Sequence, residues 1–256
     1  MRARVDRPLR SGTDRCRSRL PVSAAGVGRW CQRPKSQPAH NGQLLPGELS
    51  RQHRHRPADG VQDSDFYDNH ESGSSGGYVD GVGFKAGSGA GNRIRGCRVY
   101  DNSGDGLDLS GFDGSVTIDH TWAFGNGVNR WGLTKFSAGG SGSRLGGHAG
   151  LKVAPVVSHS AAWDNAGFGF TETGSAGTPR LTNDTAYRNG AAGFAFVTSA
   201  AVLQRDLALG GHPDVRLGTQ AGHTANSCDQ QGWTTAALHL TGIPSPTAAQ
   251  PEPLGQ

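Results

Sequence analysis

A repeat that ends on asparagine constrains this chain more than any other feature. The segments RIRGCRVYDN (93–102), IDHTWAFGN (118–126), VSHSAAWDN (157–165) and LTNDTAYRN (181–189) align on their last residue, and DFYDN, ending at Asn69, is a shortened fifth copy. Two positions before each Asn stands an aromatic: Tyr67, Tyr100, Phe124, Trp163 and Tyr187. In the four full copies Val99, Ala123, Ala162 and Ala186 come three before it, and Ile94, Ile118, Val157 and Leu181 eight before it. The step is 24 residues from Asn102 to Asn126 and again from Asn165 to Asn189. It is 39 from Asn126 to Asn165 and 33 from Asn69 to Asn102, so two turns carry insertions.

A period in the low twenties with short strands predicts a solenoid. The leucine ladder and helical segment of a leucine-rich repeat are missing. A parallel β-helix fits, because each coil lays its strands about 4.8 Å from those of the next, so equivalent residues form columns. Composition agrees: 41 glycines and only 34% hydrophobic residues suit a thin, repeated core better than a broad one. The predicted fold class is all-β, a single-stranded right-handed parallel β-helix.

A second strand follows each Asn: DGVGF (80–84), DGLDL (105–109), GSRL (142–145), GFGF (167–170) and GFAF (193–196). Side chains alternate between faces along a strand. With Phe84, Leu109, Leu145, Phe170 and Phe196 inward, so are Val82, Leu107, Ser143, Phe168 and Phe194. The outward column then reads Gly83, Asp108, Arg144, Gly169, Ala195. Asp80 and Asp105 stack one column further out. Three carboxylates and a guanidinium thus converge on one face. Such acids repel one another unless a cation intervenes, and Ca²⁺ tolerates irregular oxygen geometry better than Mg²⁺ does. The competing reading is that Asp80-Gly81 and Asp105-Gly106 are simple turns; two pairs in register with Asp108 and Arg144 favour the site.

DGVGFK (80–85), GNRIRGCRVYDNSGDGLDL (91–109), VTIDHTWAFGNG (116–127) and HSAAWDNAGFGF (159–170) resemble the calcium-dependent pectate lyases of polysaccharide lyase family 9, over roughly residues 61–220. The resemblance implies a secreted, monomeric enzyme that cleaves polygalacturonate or a related acidic polysaccharide by β-elimination. It implies Asp80, Asp105 and Asp108 as Ca²⁺ ligands, matching three of the family's four aspartates; the fourth position is Gly104. The family's catalytic lysine, in a GNGFK motif, corresponds to Arg144 in GSGSR, and its phenylalanine to Ser143. Arginine rarely offers a free base near neutral pH, so the swap predicts weakened catalysis. The alternative is a non-catalytic β-helix that binds polysaccharide in the same groove. Lys85 is a candidate partner for a uronate carboxylate, or a solvated lysine at a strand end. His120, His148 and His159 read as scattered surface or packing residues.

The net charge of +4 misleads about partners. Residues 1–60 carry 13 Lys+Arg against 4 Asp+Glu, and residues 61–256 carry 12 against 17. The first segment is Arg/Pro-rich and lacks any sustained period, which reads as disordered or mis-translated, with a polyanion-binding arm as the remaining option. Its stretch LPVSAAGVG (20–28) is too weakly apolar for a signal peptide. Residues 61–242 read as the lyase-like domain and 243–256 as a Pro-rich tail. No apolar run reaches the ~18 residues that would span a bilayer, and neither nucleic acid nor membrane is an expected partner.

Overall fold

The computed structural model describes Val27–Arg29 and residues 60–229, apart from 72–75, 77, 78, 86 and 138. The expectations for residues 1–60 and 243–256 fall outside the described residues, except at Val27–Arg29 and Gly60.

Short strands recur in the order the repeat demands and stack into three long sheets, forming a right-handed parallel β-helix. One sheet follows the Asn turn: Val82–Phe84, Leu107–Asp108, Ser143–Arg144, Phe170–Thr171, Phe194–Phe196 and Val215–Leu217. We call it the site sheet. A second holds the aliphatic column and a third the aromatic column. Val27–Arg29 pairs antiparallel with Val82–Phe84 at the edge of the site sheet.

The columns follow the repeat. Ile94, Ile118, Val157, Leu181 and Leu203 pair in register and are buried. So do Val99, Ala123, Ala162 and Ala186, whose small size keeps the coil narrow. The aromatics stack face to face from coil to coil, with ring centroids 4.8 Å apart for Tyr67–Tyr100, 4.7 Å for Tyr100–Phe124 and 4.4 Å for Phe124–Trp163. The strand spacing itself sets that separation.

The turn asparagines form a hydrogen-bonded ladder. Each Nδ2 donates to the Oδ1 of the next Asn: Asn69 to Asn102 at 2.7 Å, then Asn102 to Asn126, Asn126 to Asn165 and Asn165 to Asn189, each at 2.9 Å. From Asn102 onward the second Nδ2 hydrogen goes to a backbone carbonyl of the preceding coil: Phe66, Val99, Ala123 or Ala162. These amides are buried and satisfied, which a buried polar column requires.

One coil departs from the sequence expectation. The sequence pattern aligns Phe170 with Leu145, and Gly169 with Arg144. The structure instead pairs Phe170 with Ser143 and Phe194, and Thr171 with Arg144 and Ala195. The ladder decides this register. A Cβ on Gly81, Gly106, Gly142 or Gly169 would come within 2.9 Å of the Nδ2 of Asn102, Asn126, Asn165 or Asn189 respectively. Gly169 therefore belongs to a glycine column that lets the strand pass close to the Asn turn. The outward column reads Gly83, Asp108, Arg144, Thr171, Ala195. Phe168, expected in the core, is half-buried on the outer face.

Most of the longest insertion lies between Asn126 and Ser143, and the rest between Arg144 and Val156. Both pieces flank the site sheet.

Candidate active site

The three aspartates come together as the repeat predicted, and all are buried. Their carboxylates divide the work in the same way. One oxygen of each is held by a backbone N–H. Asp80 Oδ1 accepts from Asp105 N at 2.8 Å, Asp105 Oδ1 from Ser141 N at 2.6 Å, and Asp108 Oδ1 from Ser110 N at 2.7 Å. The Oδ2 atoms turn toward a shared space. Arg144 Nη1 lies 3.8 Å from Asp105 Oδ2 and 3.9 Å from Asp108 Oδ2. Lys85 Nζ lies 2.5 Å from Asp80 Oδ2 and contacts Asp108 Oδ2 directly.

Lys85 is thus engaged at the site, not left in solvent. Its stem folds over Gly83, where a Cβ would meet Lys85 Cε at 3.0 Å. Thr173 was missed by the sequence reading. Its Oγ1 accepts from Arg144 Nε at 2.8 Å and donates to Gly146 O at 2.8 Å, which orients the guanidinium. The only signal for it was the TETG turn, which carries no distinctive motif.

Burial pushes the Asp80 carboxyl up; Lys85 opposes the shift and Asp108 adds to it. Asp105 also rises, first through burial and then through the charges of Asp80 and Asp108. Lys85 loses some preference for its charged form to burial, but Asp80 and Asp108 outweigh this and hold it above the ordinary lysine value. The cluster is an anionic centre that requires cations around it.

A hard divalent cation fits this donor set. Each aspartate offers a ligand oxygen within 4.8 Å of the others, and Asp80 Oδ2 is buried without a well-aligned hydrogen bond. Oxygen ligands of this kind suit Ca²⁺. Gly104, at the missing ligand's position, makes close room for Asp80: a Cβ there would sit 2.5 Å from Asp80 Oδ1. Beside the cluster lies a groove of about 280 Å³, lined by Asp105, Ser141, Arg144, Phe168 and Thr173 with glycines between them.

The histidines are less scattered than their sequence positions suggest. His120 and His159 stack at 4.9 Å over Asp119, whose Oδ1 lies 2.8 Å and 3.6 Å from their Nδ1 atoms. Asn183 joins this cluster: its Oδ1 accepts from Arg205 Nε at 3.0 Å and its Nδ2 lies 3.3 Å from His159 Nε2. Asp119, His120 and His159 thus gather at the surface, half-buried or exposed, with potential ligand atoms within 4.8 Å of one another.

Fold and site together define a pectate lyase-like right-handed parallel β-helix. The family described as "Pel9A-like, right handed beta helix region" matches residues 48–212, and the chain belongs to it. It is 37% identical over 163 residues to pectate lyase PEL9 of Emericella nidulans, covering 56% of this chain and 40% of that protein. Against pectate lyase L of Dickeya chrysanthemi it is 38% identical over 130 residues, covering 51% and 30%. The chain therefore spans less than half the length of these curated relatives. The crystal structure of pectate lyase Pel9A superposes with a TM-score of 0.59 at 30% identity, over 70% of this chain and 44% of that one. A rhamnogalacturonan lyase, at 24% identity and a TM-score of 0.52, shares the fold. Among the described residues no helix is long and apolar enough to cross a membrane.

Proposed function

We propose that this chain is a secreted, extracellular protein that, with residues 61–242 as its catalytic domain, performs a Ca²⁺-dependent pectate lyase-type elimination on an acidic polysaccharide such as polygalacturonate. The observation that carries the reading is the shared arrangement of Asp80, Asp105 and Asp108. Each anchors one oxygen on backbone and presents the other to a common point beside Arg144. Asp80, Asp105 and Asp108 would hold the ion. A bound calcium supplies positive charge that offsets a uronate carboxylate and makes the adjacent C5–H more acidic.

The chain's own residues do the rest. Arg144, oriented by Thr173, accepts the C5 proton in the small fraction of molecules whose guanidinium has first given a proton to water, which keeps the rate low near neutral pH. The electron pair left on C5 forms the C4–C5 double bond, the C4–O bond breaks, and the leaving oxygen takes a proton from water. Phe168 and the glycines beside it leave the groove open to a sugar ring. Lys85 supplies a cation within reach of a uronate carboxylate. With Gly104 in a ligand position and Arg144 in place of lysine, turnover is slower than at a site with four aspartates and a lysine.

Purified protein incubated with polygalacturonate tests this. Ultraviolet absorbance of an unsaturated uronate is expected to rise with Ca²⁺, to stop with a chelator, and to vanish in Asp105→Asn. Ca²⁺-dependent binding of the polymer without any unsaturated product would establish the non-catalytic polysaccharide-binding reading instead. The departures at Gly104, Ser143 and Arg144 favour that second reading.

A further inference from the structure

The geometry points to Lys85 as a tethered cation that occupies the carboxylate centre and is displaced by the metal, so that ion binding releases its ammonium to the substrate groove. The inference rests on the Ca²⁺ reading above and adds a coupling between the ion and the sugar.

Three observations carry it. First, the Lys85 ammonium sits on the oxygens a metal would use: 2.5 Å from Asp80 Oδ2 and in contact with Asp108 Oδ2. Those oxygens are not needed to hold the fold, since the backbone bonds of Asp80 and Asp108 go to their Oδ1 atoms. Second, the two ends of the ion pair differ in freedom. Asp80 and Asp108 side chains are 2% and 3% exposed, whereas that of Lys85 is 49% exposed, so the lysine is the partner able to leave. Third, the outward column is open beneath it. Gly83 leaves its stem space to fold back across the coil, and a Cβ there would meet Lys85 Cε at 3.0 Å.

An ammonium and a divalent ion cannot share Asp80 Oδ2 and Asp108 Oδ2, because like charges at such separations repel strongly. Metal entry therefore ejects Lys85. Its flexible four-carbon stem keeps the freed charge beside the groove, where the nearest anion to meet is a uronate carboxylate. Without metal, Lys85 satisfies the aspartates and is not available to the sugar. The charge of the centre is thus partly offset when it is empty of metal, and its substrate-binding charge appears only when the ion is in place.

Calorimetry with Ca²⁺ alone, at fixed pH and without sugar, reads the competition. Lys85→Met keeps the apolar stem and removes the charge, and is expected to bind Ca²⁺ about tenfold tighter than wild type. Gly83→Ala, which crowds the stem without touching a ligand, is expected to shift affinity in the same direction. Amine acylation followed by mass spectrometry reads the release. Ca²⁺ is expected to raise labelling of Lys85 several-fold at the calorimetric midpoint, while exposed Lys152 stays constant. Equal Ca²⁺ affinity in wild type and Lys85→Met, or unchanged Lys85 labelling while Ca²⁺ binds, overturns the displacement and leaves the metal site standing. If neither wild type nor Lys85→Met binds Ca²⁺, the metal reading itself fails and this inference with it.

Discussion

Thr173 combines a costly backbone with a contact the site uses. It is β-branched yet has φ +46°, in the left-handed region where such residues are rare. Its hydroxyl is what ties Arg144 to Gly146. Thr173→Gly relieves about 1–2 kcal/mol of backbone strain and gives up hydrogen bonds of about 1 kcal/mol each. Its melting temperature is expected to stay near wild type while elimination falls about tenfold, as expected when a positioned catalytic group loosens. Thr173→Ser keeps the hydroxyl and should recover the rate. A Thr173→Gly enzyme of undiminished rate would remove Thr173 from the mechanism. Gly104 shows what sequence could and could not reveal. That a ligand is missing there is legible from the motif. That its Cβ would press on Asp80 Oδ1 at 2.5 Å and on the Val79 backbone at 3.0 Å is not, because that contact lies between coils. Gly104→Asp is therefore expected to displace Asp80 and destabilise the fold by about 1–3 kcal/mol, measured by calorimetric melting. An unchanged or raised melting temperature would show that the coil relaxes to accept a fourth carboxylate.

At the scale of the element, the coil is held by its Asn turn as much as by its apolar columns. Asn126 accepts from Asn102 N and Nδ2, and donates to Val99 O and Asn165 Oδ1. Asn126→Ala leaves buried partners on both neighbouring coils unsatisfied, which costs on the order of 2–4 kcal/mol. Urea unfolding should show that loss, and a change below about 1 kcal/mol would mean the ladder is decorative. The Asn, aromatic and aliphatic columns were legible because each coil repeats them at fixed offsets from one residue type. At 167–170 the likeness of GFGF to GFAF masks the register, which lies two residues further on. The step from Asn reveals it: Asn102 to Gly106, Asn165 to Gly169 and Asn189 to Gly193 are equal steps, set by the glycine that must pass the turn. Lys85 was harder to place, since a flexible side chain that crosses to the next coil leaves no periodic trace.

At the scale of the whole molecule, the stack also carries a second buried polar column, which couples the later coils to pH. Thr121 N donates to Ser160 Oγ at 3.1 Å, Ser160 N to Asp184 Oδ1 at 2.7 Å, Asp184 N to Asp206 Oδ1 at 2.8 Å, and Asp206 N to Asn226 Oδ1 at 2.7 Å. Burial pushes Asp184 up to about 8, its backbone donors opposing the shift and the charge of Asp206 adding to it. Burial likewise pushes Asp206 up to about 7. An unfolded aspartate titrates near ~3.9, so between about pH 4 and pH 8 the folded chain holds protons that the unfolded chain has released. Stability from this column is then complete below about pH 4, falls as pH rises through the folded values, and levels off above them. Because solenoid coils stabilise one another through their interfaces, the effect should appear in global unfolding and not as local fraying. In the presence of a chelator, the melting temperature of wild type is expected to drop by several degrees from pH 5 to pH 8. Asp184→Asn/Asp206→Asn replaces both carboxyls with the amide already accommodated at Asn226, and its melting temperature should change less over that range. Equal slopes in the two proteins would place the protons elsewhere, and a wild-type melting temperature that rises with pH would show these aspartates to be ionised in the fold.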